Sequence, residues 1–194
     1  MRKRGFLVIL SAPSGAGKST ICRKLLRLQK NLKYSVSATT RPARPGEKEG
    51  KHYHFVSPAE FKKRIRQRYF LEWARVHDRY YGTPRKFVEQ WTRKGYNVLL
   101  AIDVKGALNI RKKYPDCILI FVLPPALRSL KERLLKRKDD RDSVHKRLLA
   151  ARKEMKAIPR YDYAVVNDDL RRAINQIQAI LTTESLKTHR GNYV

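Results

Sequence analysis

Acidic side chains are scarce in this chain of 194 residues. Seventeen Asp and Glu stand against 45 Lys and Arg, a formal charge of +28. Such a surface repels cations and basic partners and attracts polyanions. Cysteine is almost absent. Cys22 and Cys117 lie far apart, each in an apolar run, which excludes a disulfide framework and suits reduced core thiols. No apolar run approaches the length of a membrane span. Only residues 6–10 are apolar near the start, so no secretory signal is expected. These absences point to a cytoplasmic protein without membrane contact. His52 and His54 share a face, but no third ligand is spaced to complete a metal site with them. No internal repeat is present.

What is present is organised around Ser11-Ala12-Pro13-Ser14-Gly15-Ala16-Gly17-Lys18-Ser19-Thr20. The apolar run 6–10 before it reads as a short buried strand. Ile21, Cys22, Leu25, Leu26 and Leu28 after it have helical spacing. Strand, glycine-containing loop and helix are the setting that phosphate binding requires. Gly15 and Gly17 permit backbone angles that turn successive N–H groups into one concavity. The helix start adds partial positive charge, Lys18 a full one, and Ser19 or Thr20 a hydroxyl for Mg²⁺. Ala12 stands where the usual pattern has glycine.

Downstream, Tyr34-Ser35-Val36-Ser37 reads as a second strand. Residues 38–47 hold Arg41 and Arg44 among two prolines and a glycine, an irregular segment suited to an anionic ligand. Residues 51–56 and 70–76 read as strands, the latter with Glu72 alone in apolar company. Ser57, Pro58 and Glu60 spell a helix start with a capping box. Thr83 is the expected N-cap of a helix opened by Pro84 and stopped at Gly95. The run 98–103 ends in Asp103, as a central strand delivering an acid to its carboxyl end would. A helix to Tyr114, a strand over 117–123 and a cation-rich helical pair to about Ala157 follow, interrupted at 138–142. A last strand, 163–166, leads through Asn167 and Asp168 to a helix capped by Asp168 or Asp169. Its apolar face is Leu170, Ile174, Ile177 and Leu181. The tail from Ser185 is expected to fray. Alternating strands and helices predict an α/β fold with a parallel sheet covered on both faces, interrupted by two insertions.

These residues closely resemble the guanylate kinase family, the P-loop nucleoside monophosphate kinases for GMP, over nearly the whole chain. Beyond the phosphate loop, the resemblance rests on residues 37–47, Tyr80-Tyr81-Gly82-Thr83, Ile102-Asp103 and Val166-Asn167-Asp168-Asp169. It implies a three-layer P-loop NTPase fold around a five-stranded parallel sheet. The core would be 1–37, 84–126 and 148–194, with a GMP-binding subdomain at 38–83 and a helical lid at 127–147. It implies that Ala12, Pro13, Ser14, Gly15, Ala16, Gly17, Lys18, Ser19, Thr20 and Asn167 bind ATP. Arg41, Arg44, Tyr53 and Tyr81 would hold the GMP phosphate, Ser37, Glu72 and Thr83 would read guanine, and Asp103 would also bind GMP. Guanine presents N1–H and N2–H₂ side by side, and one carboxylate accepts both; adenine lacks that pair. Ser19 and Asp103, the latter through water, would serve Mg²⁺. Lys18, Arg133, Arg137 and Arg147 would neutralise the transferred phosphoryl group. The sequence departs from the family pattern at Ala101, often an acid, and at Lys138, often a glycine, in a lid about one residue short.

The implied reaction is ATP plus GMP, and also dGMP, to the corresponding diphosphates. The attacking phosphate is already mostly ionised at neutral pH, since such groups lose their second proton near pH 6. The chemistry therefore needs positioning and charge neutralisation rather than a general base. Three other readings stay open at this level. A different small-molecule kinase would not need Ser37, Glu72 and Thr83. An interaction module would commonly lose the phosphate loop. A nucleic-acid binder would show salt-dependent retention. The cationic excess reads as solvated helix faces, with nonspecific polyanion binding as its functional alternative.

Overall fold

The computed structural model describes residues 4–76, 78–135 and 141–188. β1 (Leu7–Ser11) is the central strand of a five-stranded parallel sheet. Around it lie β2 (Leu32–Tyr34), β7 (Asn97–Ala101), β8 (Ile118–Leu123) and β9 (Tyr163–Val166), in the order β2-β7-β1-β8-β9. β1 is buried along its whole length, which explains why it reads as an unbroken apolar run rather than an alternating one. Its side chains still alternate between two cores. Val8 and Leu10 meet Ile21 and Leu25 of α1 (Lys18–Leu28) and Ile174 and Ile177 of α7 (Leu170–Ser185). Leu7 and Ile9 meet Val88 of α3 (Arg85–Arg93) and Ala107 and Ile110 of α4 (Val104–Lys113). Helices thus cover both faces.

A second, four-stranded sheet has the order β4-β3-β6-β5. Its strands are β3 (Ala38–Thr39), β4 (His54–Phe55), β5 (Phe70–Val76) and β6 (Arg79–Pro84). It is covered by α2 (Pro58–Arg66), whose fully buried Phe61 stacks on Phe70 at 4.4 Å and on Tyr80 at 5.3 Å. After β8 the chain forms α5 (Leu127–Leu135) and α6 (Arg141–Met155), joined through Leu130, Leu134, Val144 and Ala151 in a small core of their own.

Three local expectations change. The strand read at 34–37 divides: β2 ends at Tyr34, and the chain crosses to the second sheet before Ala38. Ser35 still donates its N–H to the Leu99 carbonyl, and Ser37 accepts from the His54 N–H, so this crossing serves both sheets. Thr83 is not the N-cap of α3. It lies in β6, its hydroxyl taken by Glu72, and Pro84 stands at the helix start without a side-chain cap. At α2 only half of the capping box forms. Ser57 Oγ accepts the Glu60 N–H, but the Glu60 carboxylate turns to Arg64 instead. Asp169, rather than Asp168, caps α7 by accepting the Arg172 N–H.

Candidate nucleotide site

Parallel strands deliver their carboxyl ends to one edge, and the phosphate loop, Asp103 and Asn167 all lie there, following β1, β7 and β9. Gly15 and Gly17 adopt left-handed φ values of 92° and 95°. The space at Gly17 is also filled: a Cβ would lie 2.3 Å from Asn167 Nδ2. That amide donates to the Ala16 carbonyl at 2.8 Å, so buried Asn167 ties the end of β9 to the loop from behind. Ser14, Ser19 and Thr20 are exposed around the concavity, whereas Ala16 is fully buried beneath it. α5 closes one flank, because a Cβ on Gly15 would come within 3.0 Å of Leu130.

Lys18 donates to the Ile102 carbonyl at the end of β7, at 3.0 Å. Desolvation lowers its pKa, while nearby Cys22, Asp103 and Glu154 favour the charged form. Glu154 of α6 is a residue that sequence reasoning missed. Burial raises its carboxyl to about 7, against the pull of Lys18 and reinforced by Asp103. Its one sequence signal is a position three residues beyond Ala151, which fixes the inward face of an otherwise cationic helix. Asp103 caps α4 by accepting the Gly106 N–H at 3.1 Å. That bond engages one carboxylate oxygen.

The second sheet brings two groups of residues together. Arg41 leaves the end of β3 with its guanidinium 5.4 Å from the Tyr53 ring centre, and Tyr53 meets Tyr81 edge to face at 6.0 Å. Both Glu47 carboxylate oxygens accept from Arg41 Nη2 at 2.8 Å, and one also accepts the Arg44 N–H. Glu47 therefore orients the arginine loop, a role not read from the sequence. Arg44 itself is exposed. In the other group, Glu72 and Thr83 face each other across β5 and β6, the hydroxyl donating to Glu72 Oε1 at 2.9 Å. Glu72 is only 4 % exposed and Ser37 6 %. Burial raises the Glu72 carboxyl to about 7; the Thr83 bond and Lys113 oppose this, and Asp103 adds to it. Glu72 thus stands on β5, the edge strand of this sheet, yet its carboxylate is buried rather than turned outward. Its Oε2 lies 2.9 Å from where a Gly106 Cβ would be, so glycine at the start of α4 gives the carboxylate its place.

Arg147 lies half-buried on α6. Arg137 lies outside the described residues, as does the side chain of Arg133. Among the described residues no three His, Cys, Asp or Glu side chains gather as a metal cage. No helix among them is long and apolar enough to cross a membrane.

The arrangement offers an anion cradle with a lysine, a separate arginine–tyrosine cluster and a buried carboxylate able to accept paired N–H donors. Comparison with known proteins identifies the family. The family model described as guanylate kinase matches residues 4–184. A guanylate kinase of Syntrophomonas wolfei is 48% identical, covering 99% of each chain. One of Carboxydothermus hydrogenoformans is 47% identical over 98% of this chain and 94% of its own. The crystal structure of guanylate kinase from Anaplasma phagocytophilum superposes with a TM-score of 0.84 at 36% identity, covering 97% of this chain and 90% of that one. The fold, the loop and these matches together place the chain in the guanylate kinase family.

Proposed function

We infer that the protein transfers the γ-phosphoryl group of ATP to GMP, giving ADP and GDP, and accepts dGMP in the same site. The observation that carries the acceptor is Glu72: a buried carboxylate, fixed by Thr83, beside the phosphate-binding edge. Ionised, it accepts the guanine N1–H and N2–H together. Adenine would leave it desolvated and unpaired, which is how a hydrogen-bonding site rejects a wrong base strongly. Arg41, Arg44, Tyr53 and Tyr81 suit the GMP phosphate, and Ser37 the base. Residues 12–20 and Asn167 suit the ATP phosphates. Residues 38–83 form the acceptor subdomain on this reading, and 127–147 the lid.

The nucleophile is a GMP phosphate oxygen, and no side chain need remove a proton from it. The protein brings two anions into line and neutralises the charge that spreads between them. Lys18 is already desolvated and needs only to exchange the Ile102 carbonyl for a phosphate oxygen. Arg147 and the lid arginines Arg133 and Arg137 supply further positive charge. The oxygen donors at this edge are hard and fit Mg²⁺: the exposed Ser19 hydroxyl, and the Asp103 carboxylate through water. Bound there, Mg²⁺ would supply charge neutralisation to the donor phosphates. The reading places the protein in the cytoplasm, regenerating GDP for GTP supply. Its net charge also attracts polyanions in general.

The test is ADP release from Mg²⁺-ATP with GMP, dGMP, AMP, CMP, UMP or no acceptor. Turnover with GMP and dGMP, and little with AMP, is expected. Release that ignores the acceptor would reduce the protein to an ATPase.

A further inference from the structure

The kinase reading uses one edge of the sheet; the opposite edge has its own construction. There the amino ends of β2 and β7 meet the carboxyl ends of α1 and α3. A cleft of about 780 Å³ opens between them, lined by Lys30, Asn31, Trp91, Lys94 and Tyr96. That volume lies within the range of about 300–1,000 Å³ usual for ligand clefts. Lys33 holds its ammonium 4.8 Å from the Trp91 ring centre and 4.7 Å from that of Tyr96; Lys94 lies 5.1 Å from Trp91. The two rings meet edge to face at 5.1 Å. Exposed Arg27 lies in the last turn of α1, which Lys30 follows, and exposed Arg4 precedes Gly5, whose N–H is bound to the α3 carbonyl of Thr92. Among the described residues, none of Arg4, Arg27, Lys30, Lys33 and Lys94 has a carboxylate partner.

Lysines near two helix carboxyl ends are expected from helix dipoles alone. Dipole compensation does not explain why two aromatic rings stand among them. We propose that this cleft binds single-stranded nucleic acid. A base stacks on Trp91 or Tyr96, and the ammonium groups over the rings move to the flanking phosphates. Lys33 is half-buried and Lys94 exposed, and a cation–π contact still open to water is weaker than base stacking on an aromatic ring, so the exchange runs toward the bound strand. The remaining cations continue the phosphate track on either side. Duplex fits less well, since its bases are not free to stack.

The test is fluorescence anisotropy with a labelled single-stranded 12-mer at about 50 mM salt. Saturating GMP and ADP keep the kinase site occupied, and turnover is measured separately. Replacing Lys30, Lys33 and Lys94 together by Gln is expected to weaken binding at least tenfold. The salt slope should fall by about two, given roughly 0.7 per single-strand phosphate contact, with GMP-dependent turnover unchanged. A control variant replaces exposed Lys62, Lys63 and Arg66 of α2 by Gln and loses the same charge. In a Trp73→Phe background Trp91 is the remaining tryptophan, and its emission should be quenched on binding. Equal weakening in the control would overturn the site in favour of bulk charge. So would unquenched Trp91, equal affinity for a 12-base-pair duplex or for polyglutamate, or an affinity no higher than that of a mononucleotide. Absence of kinase activity with binding intact would instead strike the kinase reading alone.

Discussion

Glu72 is the residue on which specificity turns. Its carboxyl titrates near 7 in the free protein, because burial outweighs the hydroxyl that stabilises its charge. Guanine pairing needs the charged form, so GMP affinity should rise as pH goes from about 6 to 8. Glu72→Gln should remove that rise, leaving only the phosphate ionisation near pH 6, and reduce GMP-over-AMP discrimination by about a hundredfold or more. A pH series of KM for both nucleotides checks this. Gly106→Ala tests the same group from behind. Alanine favours a helix by about 1 kcal/mol over glycine, yet here its methyl would press on Glu72 Oε2. KM for GMP should therefore rise severalfold while KM for ATP stays, measured by varying each substrate in turn. Lys18→Ala should leave the melting temperature unchanged or higher, since it removes a desolvated charge. Its kcat should fall by about 10²–10³, the scale of losing one transition-state donor.

Elements cooperate at the phosphate loop. β1 ends in it, α1 starts from it, α5 packs on Gly15, and β9 reaches it through Asn167. The last link is one hydrogen bond made by a buried amide. Asn167→Ala should leave the Ala16 carbonyl unpaired, at a cost of about 1–3 kcal/mol. Chemical denaturation should read that loss, and KM for ATP should rise while KM for GMP changes little. A fall in stability alone would make Asn167 a brace and nothing more. The second sheet works similarly on the acceptor side: Phe61 locks α2 onto β5 and β6, so that Glu72, Thr83 and Tyr81 share a rigid platform.

At the scale of the whole molecule, charge sets the pH response. Glu72 and Glu154 have folded pKa values raised from 4.5 to about 7. Below 4.5 both are protonated in folded and unfolded chains. As pH rises toward 7 the unfolded chain ionises first, so the stability associated with these groups is lost across that window. Glu154→Gln should consequently gain stability relative to the parent as pH is raised from about 4.5 to 7, and hold a constant gain above it. Denaturation at several pH values measures the difference directly. Glu154 also interacts electrostatically with both Lys18 and Asp103, so the same variant should alter the pH profile of kcat.

Much of this is legible in the sequence alone. The continuous apolar runs at 6–10, 98–102 and 118–122 read as buried strands, because they are short and an exposed face would have shown alternation, and the structure buries them in the parallel sheet. Gly15 and Gly17 marked the loop for an equally local reason: glycine freely takes the left-handed φ values that the structure shows at both and that other side chains rarely adopt. Periodicity and backbone permission act over a few residues, so a linear text contains them. Pairings across the fold are another matter. Thr83 had the local look of a helix cap, and the approach of Glu72, eleven residues away, made it a strand residue instead. Glu154, Gly106 and Asn167 owe their roles to what lies behind them, at separations of tens to more than a hundred residues. Lys33 came to lie over Trp91 and Tyr96 only when β2 paired with β7. Burial and desolvation belong to the assembled volume, and no window of sequence contains them.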